Sequence, residues 1–182
     1  AWYNRYEALS SIYDGLVAIE TDPDLCASID CDRAQTFAKF VQGYALGYLA
    51  LNFDSAFVFD ETVDLETDVL ALQAYPAVMA AAMGYLQEVI TGTSGASWSL
   101  EPGWILGLPL TAAALGQYAH SLMARFMVMV TRTPAERDAV NWGTVITHID
   151  AGITDDLMID GDGYNNWLND LHWYGSNPSA AS

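Results

Sequence analysis

Apolar residues recur at three- and four-residue spacing through most of this chain, the pattern of helices with a buried face. Between Trp2 and Glu20, the residues Tyr6, Leu9, Tyr13, Leu16 and Ile19 fall on one stripe, and Pro23 with the segment around Cys26 and Cys31 ends it. Asp32-Arg33-Ala34-Gln35 reads as a capping box opening a second helix. Phe37, Phe40, Val41, Tyr44, Leu46, Tyr48, Leu49 and Leu51 make that helix apolar on nearly every side. Gly43 and Gly47 lie four apart on it, which predicts close approach by a neighbouring helix.

The stretch from Asp54 to Asp68 is different. Six acids alternate there with Phe57, Val58, Phe59, Val63 and Leu65, with neither helical period nor turn dipeptide. It reads as an extended loop with its aromatics tucked under the helices. Helical pattern returns over Tyr75–Thr91, where Pro76 is tolerable in the first turn. The run Thr91-Gly92-Thr93-Ser94-Gly95-Ala96-Ser97 is a flexible connection, and Trp98–Pro109 a loop punctuated by Gly and Pro. Thr111 caps a fourth helix reaching about Arg132. Thr133-Pro134-Ala135-Glu136 combines an N-cap, Pro at the first helical position and a returning Glu. Asn141 caps a further helix through Trp142, Val145, Ile146, Ile149 and Ile153. No strand pair shows convincing alternation. The expected fold is all-α, helix hairpins stacked side by side with long irregular loops. One helical domain is expected over residues 1–175, with a disordered tail over 176–182.

Composition narrows the functional classes. A chain of 182 residues that is 52% apolar is long enough for a sizeable core and is not a disordered one. It carries 23 acids against six bases, a net charge of −17. From Phe40 to Ala124 there is no Lys or Arg beside eight acids, and seven more acids without a base follow Arg137. Binding to nucleic acid or to anionic lipid needs cations against phosphate, so both are excluded. The uncharged stretches 69–87 and 102–124 are broken by Gln73, Pro76, Pro109, Gln117 and His120. Neither offers the roughly 20 continuous apolar residues of a membrane span. No basic segment followed by an apolar one opens the chain, so any export signal is expected to have been removed already.

Candidate chemistry is thin. A disulfide between Cys26 and Cys31 would close a small loop and imply an oxidising compartment. Free thiols are the alternative, and a zinc site would need two good ligands beyond the nearby carboxylates. There is no Gly-x-Ser-x-Gly elbow and no His spacing suited to a metal. His120, inside an apolar helix, reads as a hydrogen-bonded core or interface histidine. His148 lies on the last helix pair, and His172 sits in Leu171-His172-Trp173-Tyr174. Asp160-Gly161-Asp162-Gly163-Tyr164 begins like a calcium loop, but Tyr164, Asn165 and Leu171 occupy positions where an EF-hand needs a ligand, Gly and Glu. An enzyme is not expected, and no cofactor or metal is assigned. Loop aromatics are the better candidates for contact with a partner or ligand: Trp98 and Trp104 in one loop, Trp167, Trp173 and Tyr174 in another.

Asn4-Arg5-Tyr6-Glu7-Ala8-Leu9-Ser10 and the run Phe37–Asp54 resemble the N-terminal part of SusD/RagB-type proteins. Tyr75-Pro76-Ala77-Val78-Met79, Tyr85–Ile90 and Trp142-Gly143-Thr144-Val145-Ile146 continue the likeness in order. The resemblance implies a tetratricopeptide-like helical core, no catalysis, export to the periplasm and partnership with a membrane protein. Members of that family cap an outer-membrane transporter and bind glycans or peptides. They are also several-fold longer and carry a lipidated N-terminal Cys, which this sequence does not show. The expected role is therefore a scaffold docking on the periplasmic face of a membrane protein complex, with a photosynthetic reaction centre–light-harvesting assembly as one setting. The alternative is a glycan- or nutrient-binding protein partnering an outer-membrane transporter.

Overall fold

The computed structural model describes residues 2–105 and 108–157. In chain order they form α1 (Trp2–Thr21), a 3-10 turn (Pro23–Ala27), α2 (Cys31–Asn52), β1 (Ser55–Phe57), β2 (Leu72–Ala74), α3 (Tyr75–Thr93), β3 (Ser99–Leu100), β4 (Leu110–Thr111), α4 (Ala112–Met129), α5 (Pro134–Asp138) and α6 (Trp142–Asp150). The fold is all-α, with two short antiparallel strand pairs as its only sheets among the described residues. No helix there is long and apolar enough to cross a membrane. The expected tail at 176–182 lies outside the described residues.

Helix α2 is the centre. It packs chiefly against α3 and α1, while α4 packs against α3 on one side and α6 on the other. Leu46, Leu49 and Ala50 of α2 are fully buried, as are Val78, Leu86 and Val89 of α3 and Leu115 and Phe126 of α4. The two glycines of α2 explain how the helices come so close. A Cβ on Gly43 would lie 2.7 Å from Leu86 Cγ, and one on Gly47 would overlap the ring of Phe126.

The caps follow the sequence closely with one shift. Thr111, Thr133 and Asn141 accept from the backbone N–H groups of Ala114, Glu136 and Thr144, and Glu136 closes the capping box at α5. At α2 the cap is Asp30 rather than Asp32: its carboxylate accepts from Arg33 N at 3.0 Å. Cys31, joined to Cys26 by a disulfide, is already the first helical residue, so Asp32 lies inside the helix. The last helix is also shorter than its apolar period. It ends at Asp150, and Ile153 beyond it donates its N–H to Ser121 Oγ at 2.9 Å.

The acidic stretch after α2 is held down as well as extended. Tyr6 Oη accepts from Phe57 N at 2.7 Å and donates to its carbonyl at 3.0 Å, and Tyr13 Oη donates to Val63 O at 2.8 Å. Phe59 is buried beneath them. Here β1 pairs with β2, Ala56 opposite Gln73, and β3 pairs with β4, Leu100 opposite Leu110. Each pairing joins two or three residues across a long excursion, so no turn signal marks it in the sequence.

The two classes of glycine should behave oppositely. Gly47→Ala, which overlaps the buried Phe126 ring, should lower unfolding free energy by about 1–3 kcal/mol in urea denaturation. Gly84→Ala, on exposed α3 surface where an added Cβ meets none of the described residues within 4 Å, should raise it by up to about 1 kcal/mol.

Candidate interaction surfaces

Positive charge is scarce in this chain and is mostly engaged with aromatic rings. Five of the six basic side chains lie over aromatic rings: Arg5 over Tyr44 and Tyr48, Arg33 over Trp104, Lys39 over Tyr85, Arg125 over Tyr48 and Arg132 over Tyr75. Lys39 also pairs with Glu61, and Arg132 binds Asp54 and the carbonyls of Ala50 and Phe53. Burial would raise the carboxyls of Asp60 and Glu61. Hydrogen bonds from Thr62 and Tyr85 to the first, and from Lys39 and Gln42 to the second, outweigh it and hold both below the usual range. Glu136, accepting from the Tyr75 hydroxyl and from the backbone N–H groups of Arg132 and Thr133, is lowered to about 2. Arg125, Arg132 and Arg137 stay exposed, outnumbered by exposed acids.

The two described loop tryptophans do not form one platform. Trp104 is half-buried, packed edge-on against Phe37 at 5.1 Å with the Arg33 guanidinium over its face. It closes an apolar groove of about 540 Å³ between α1 and α2. Trp98, also half-buried, borders a separate and polar cleft of about 580 Å³ with Asp30, Asp32, Gln35, Ser94 and Ser97. Its indole Nε1 is buried without a hydrogen-bond partner among the described residues. Trp167, Trp173, Tyr174 and His172, like the Asp160–Tyr164 run, lie outside the described residues.

His120 and His148 meet across the contact between α4 and α6, Nδ1 to Nδ1 at 2.8 Å. His120 is thus a hydrogen-bonded interface histidine. Its partner, 28 positions away, carries no signal in the sequence. One ring must bear the proton on Nδ1 and the other must lack it. Burial lowers both from the usual histidine value, and the neighbouring His148 lowers His120 further. Among the described residues no three His, Cys, Asp or Glu side chains gather as a metal site would require.

Helix α6 presents apolar side chains on both faces. Val145 and His148 are buried, while Trp142, Ile146 and Ile149 are 52%, 55% and 59% exposed. Spacings of four and three residues align the exposed trio as one row.

Compared with family models, curated proteins and solved structures, the chain matches none.

The histidine pair sets a pH dependence. Both rings are held below the usual histidine value in the folded state, so the unfolded chain takes up protons first as pH falls below about 6.5. The stability they contribute is therefore complete above that pH and is lost as pH falls. The paired carboxylates give way only below about pH 4. Thermal unfolding followed between about pH 7 and pH 5 should show the midpoint falling, and His120→Gln, which does not titrate, should flatten that slope.

Proposed function

We propose that this chain is a non-enzymatic helical interaction subunit, exported and docked on the periplasmic face of a membrane protein complex. The observation that carries this reading is the outward row Trp142, Ile146 and Ile149 on α6. Its inner face is already satisfied against α4, no other described residue buries the row, and burial against a partner contributes of order 1 kcal/mol per side chain. Asp138, Asp150, Asp155 and Asp156 flank it, and no base follows Arg137. The matching surface is apolar with a basic rim, and such association weakens with salt.

The disulfide between Cys26 and Cys31 supports an oxidising compartment. The SusD/RagB-like order of helical motifs supports a tetratricopeptide-like core used for binding rather than catalysis. A photosynthetic reaction centre–light-harvesting assembly is one membrane complex that this role would suit.

Tagged full-length chain, used to capture partners from native membranes in mild detergent, should recover a stoichiometric membrane complex that high salt releases. The triple variant Trp142→Ser, Ile146→Ser, Ile149→Ser should lose that complex while keeping its helical circular dichroism. Equal recovery by the triple variant would count against the α6 row, and recovery of the chain alone against the whole reading.

A second reading, a glycan-binding protein, is favoured by the cleft beside Trp98, where carboxylates, an amide and hydroxyls surround an indole. On a glycan array, Trp98→Ala should abolish any signal from this cleft while Trp104→Ala retains it. A blank array removes this reading.

A further inference from the structure

We propose that the apolar groove between α1 and α2 is a second binding site, and that it receives two turns of a partner's helix bearing an apolar face flanked by Lys or Arg. The site is built from elements other than α6 and stands independently of docking there.

The lining sets the apolar half of the argument. Ile12, Leu16 and Ile19 form one wall at helical spacing along α1, a length of about 10 Å at 1.5 Å per residue. Phe37 and Trp104 form the opposite side. Leu25 and Ile29 contribute from the segment that the Cys26–Cys31 disulfide ties to the start of α2. A partner helix with anchors at i, i+3 or i+4, and i+7 covers the same length.

Gly15 and Gly103 keep the groove open. Both line it, and a Cβ added to either meets no atom of the described residues within 4 Å. Gly15 sits in the middle of α1, where it costs helix propensity and where the α2 packing does not require it. A side chain at that position would occupy the groove.

Charge selects the flanks of the ligand. Residues 12–38, which build most of the site, contain six acids, all exposed: Asp14, Glu20, Asp22 and Asp24 beside its lining residues in sequence, and Asp30 and Asp32 on the neighbouring polar cleft. Their one base, Arg33, has its guanidinium over Trp104 and donates to the Ser99 carbonyl at 3.3 Å. A second copy of this chain, or an anionic lipid, would bring more negative charge to these acidic segments. A helix fits better than an extended peptide because its own backbone is satisfied internally. An extended segment would bury N–H and C=O groups against a wall with nothing to pair them.

The test is fluorescence anisotropy with two labelled amphipathic helical peptides sharing the same Leu positions, one with Lys and one with Glu on the polar face. The full chain should bind the Leu/Lys peptide and not the Leu/Glu peptide. Gly15→Leu should weaken binding by about tenfold or more. Its thermal midpoint should not fall, because Leu is the better helix former. The α6 triple variant should bind normally, which separates this site from the docking row. Undiminished binding by Gly15→Leu would overturn the proposal, since contact would then be surface charge alone. Absence of binding by the Leu/Lys peptide, or equal binding of the Leu/Glu peptide, would overturn it as well.

Discussion

The close approach of α2 to its neighbours governs this molecule. Gly43 sits against Leu86 of α3 and Gly47 against the ring of Phe126 of α4, and neither contact leaves room for a methyl group. With the backbone of α2 that near, Leu46, Leu49 and Ala50 lose all contact with water. The rings that share the helix are set off from these glycines: Phe37, Phe40, Tyr44 and Tyr48 follow one another along it, and Tyr48 meets Phe126 edge-on at 5.5 Å.

That row of rings decides where the positive charge goes. Arg5 and Arg125 lie over Tyr48, and Arg33 over Trp104, which itself packs on Phe37. Cations held over ring faces and against carboxylates are engaged within the fold even where, like Arg125 and Arg132, they stay exposed. A sequence with 23 acids against six bases therefore presents a predominantly acidic surface. Against that background two apolar features stand out, the ridge of α6 and the groove beside α1. An acidic surface carrying isolated apolar contacts is suited to recognition, because charge selects the partner and apolar burial holds it.

Much of the fold was legible in local pattern. The stripe of α1, the caps at Thr111, Thr133 and Asn141, and Pro76 in the first turn of α3 all report interactions within four residues. The α2 cap was displaced to Asp30 because two carboxylates compete there and the disulfide fixes which residue enters the helix first. The strand pairs escaped notice because β1 and β2 join three residues across a long acidic excursion. Of the site residues, His120 could be recognised as an interface histidine from its apolar helix, but nothing in the order of residues points from it to His148.

The sequence by itself determined the helical class, the positions of most helix ends and the sign of the surface. Those properties depend on periodicity, on short-range hydrogen bonds and on composition, all of which are written along the chain. The tertiary structure alone decided that Trp98 and Trp104 serve different recesses, that two histidines 28 positions apart meet at hydrogen-bond distance, and that Trp142, Ile146 and Ile149 face outward while Val145 faces in. An apolar residue at helical spacing has the same signature whether a neighbouring helix covers it or water does. Only the packing of α6 on α4 separates the two.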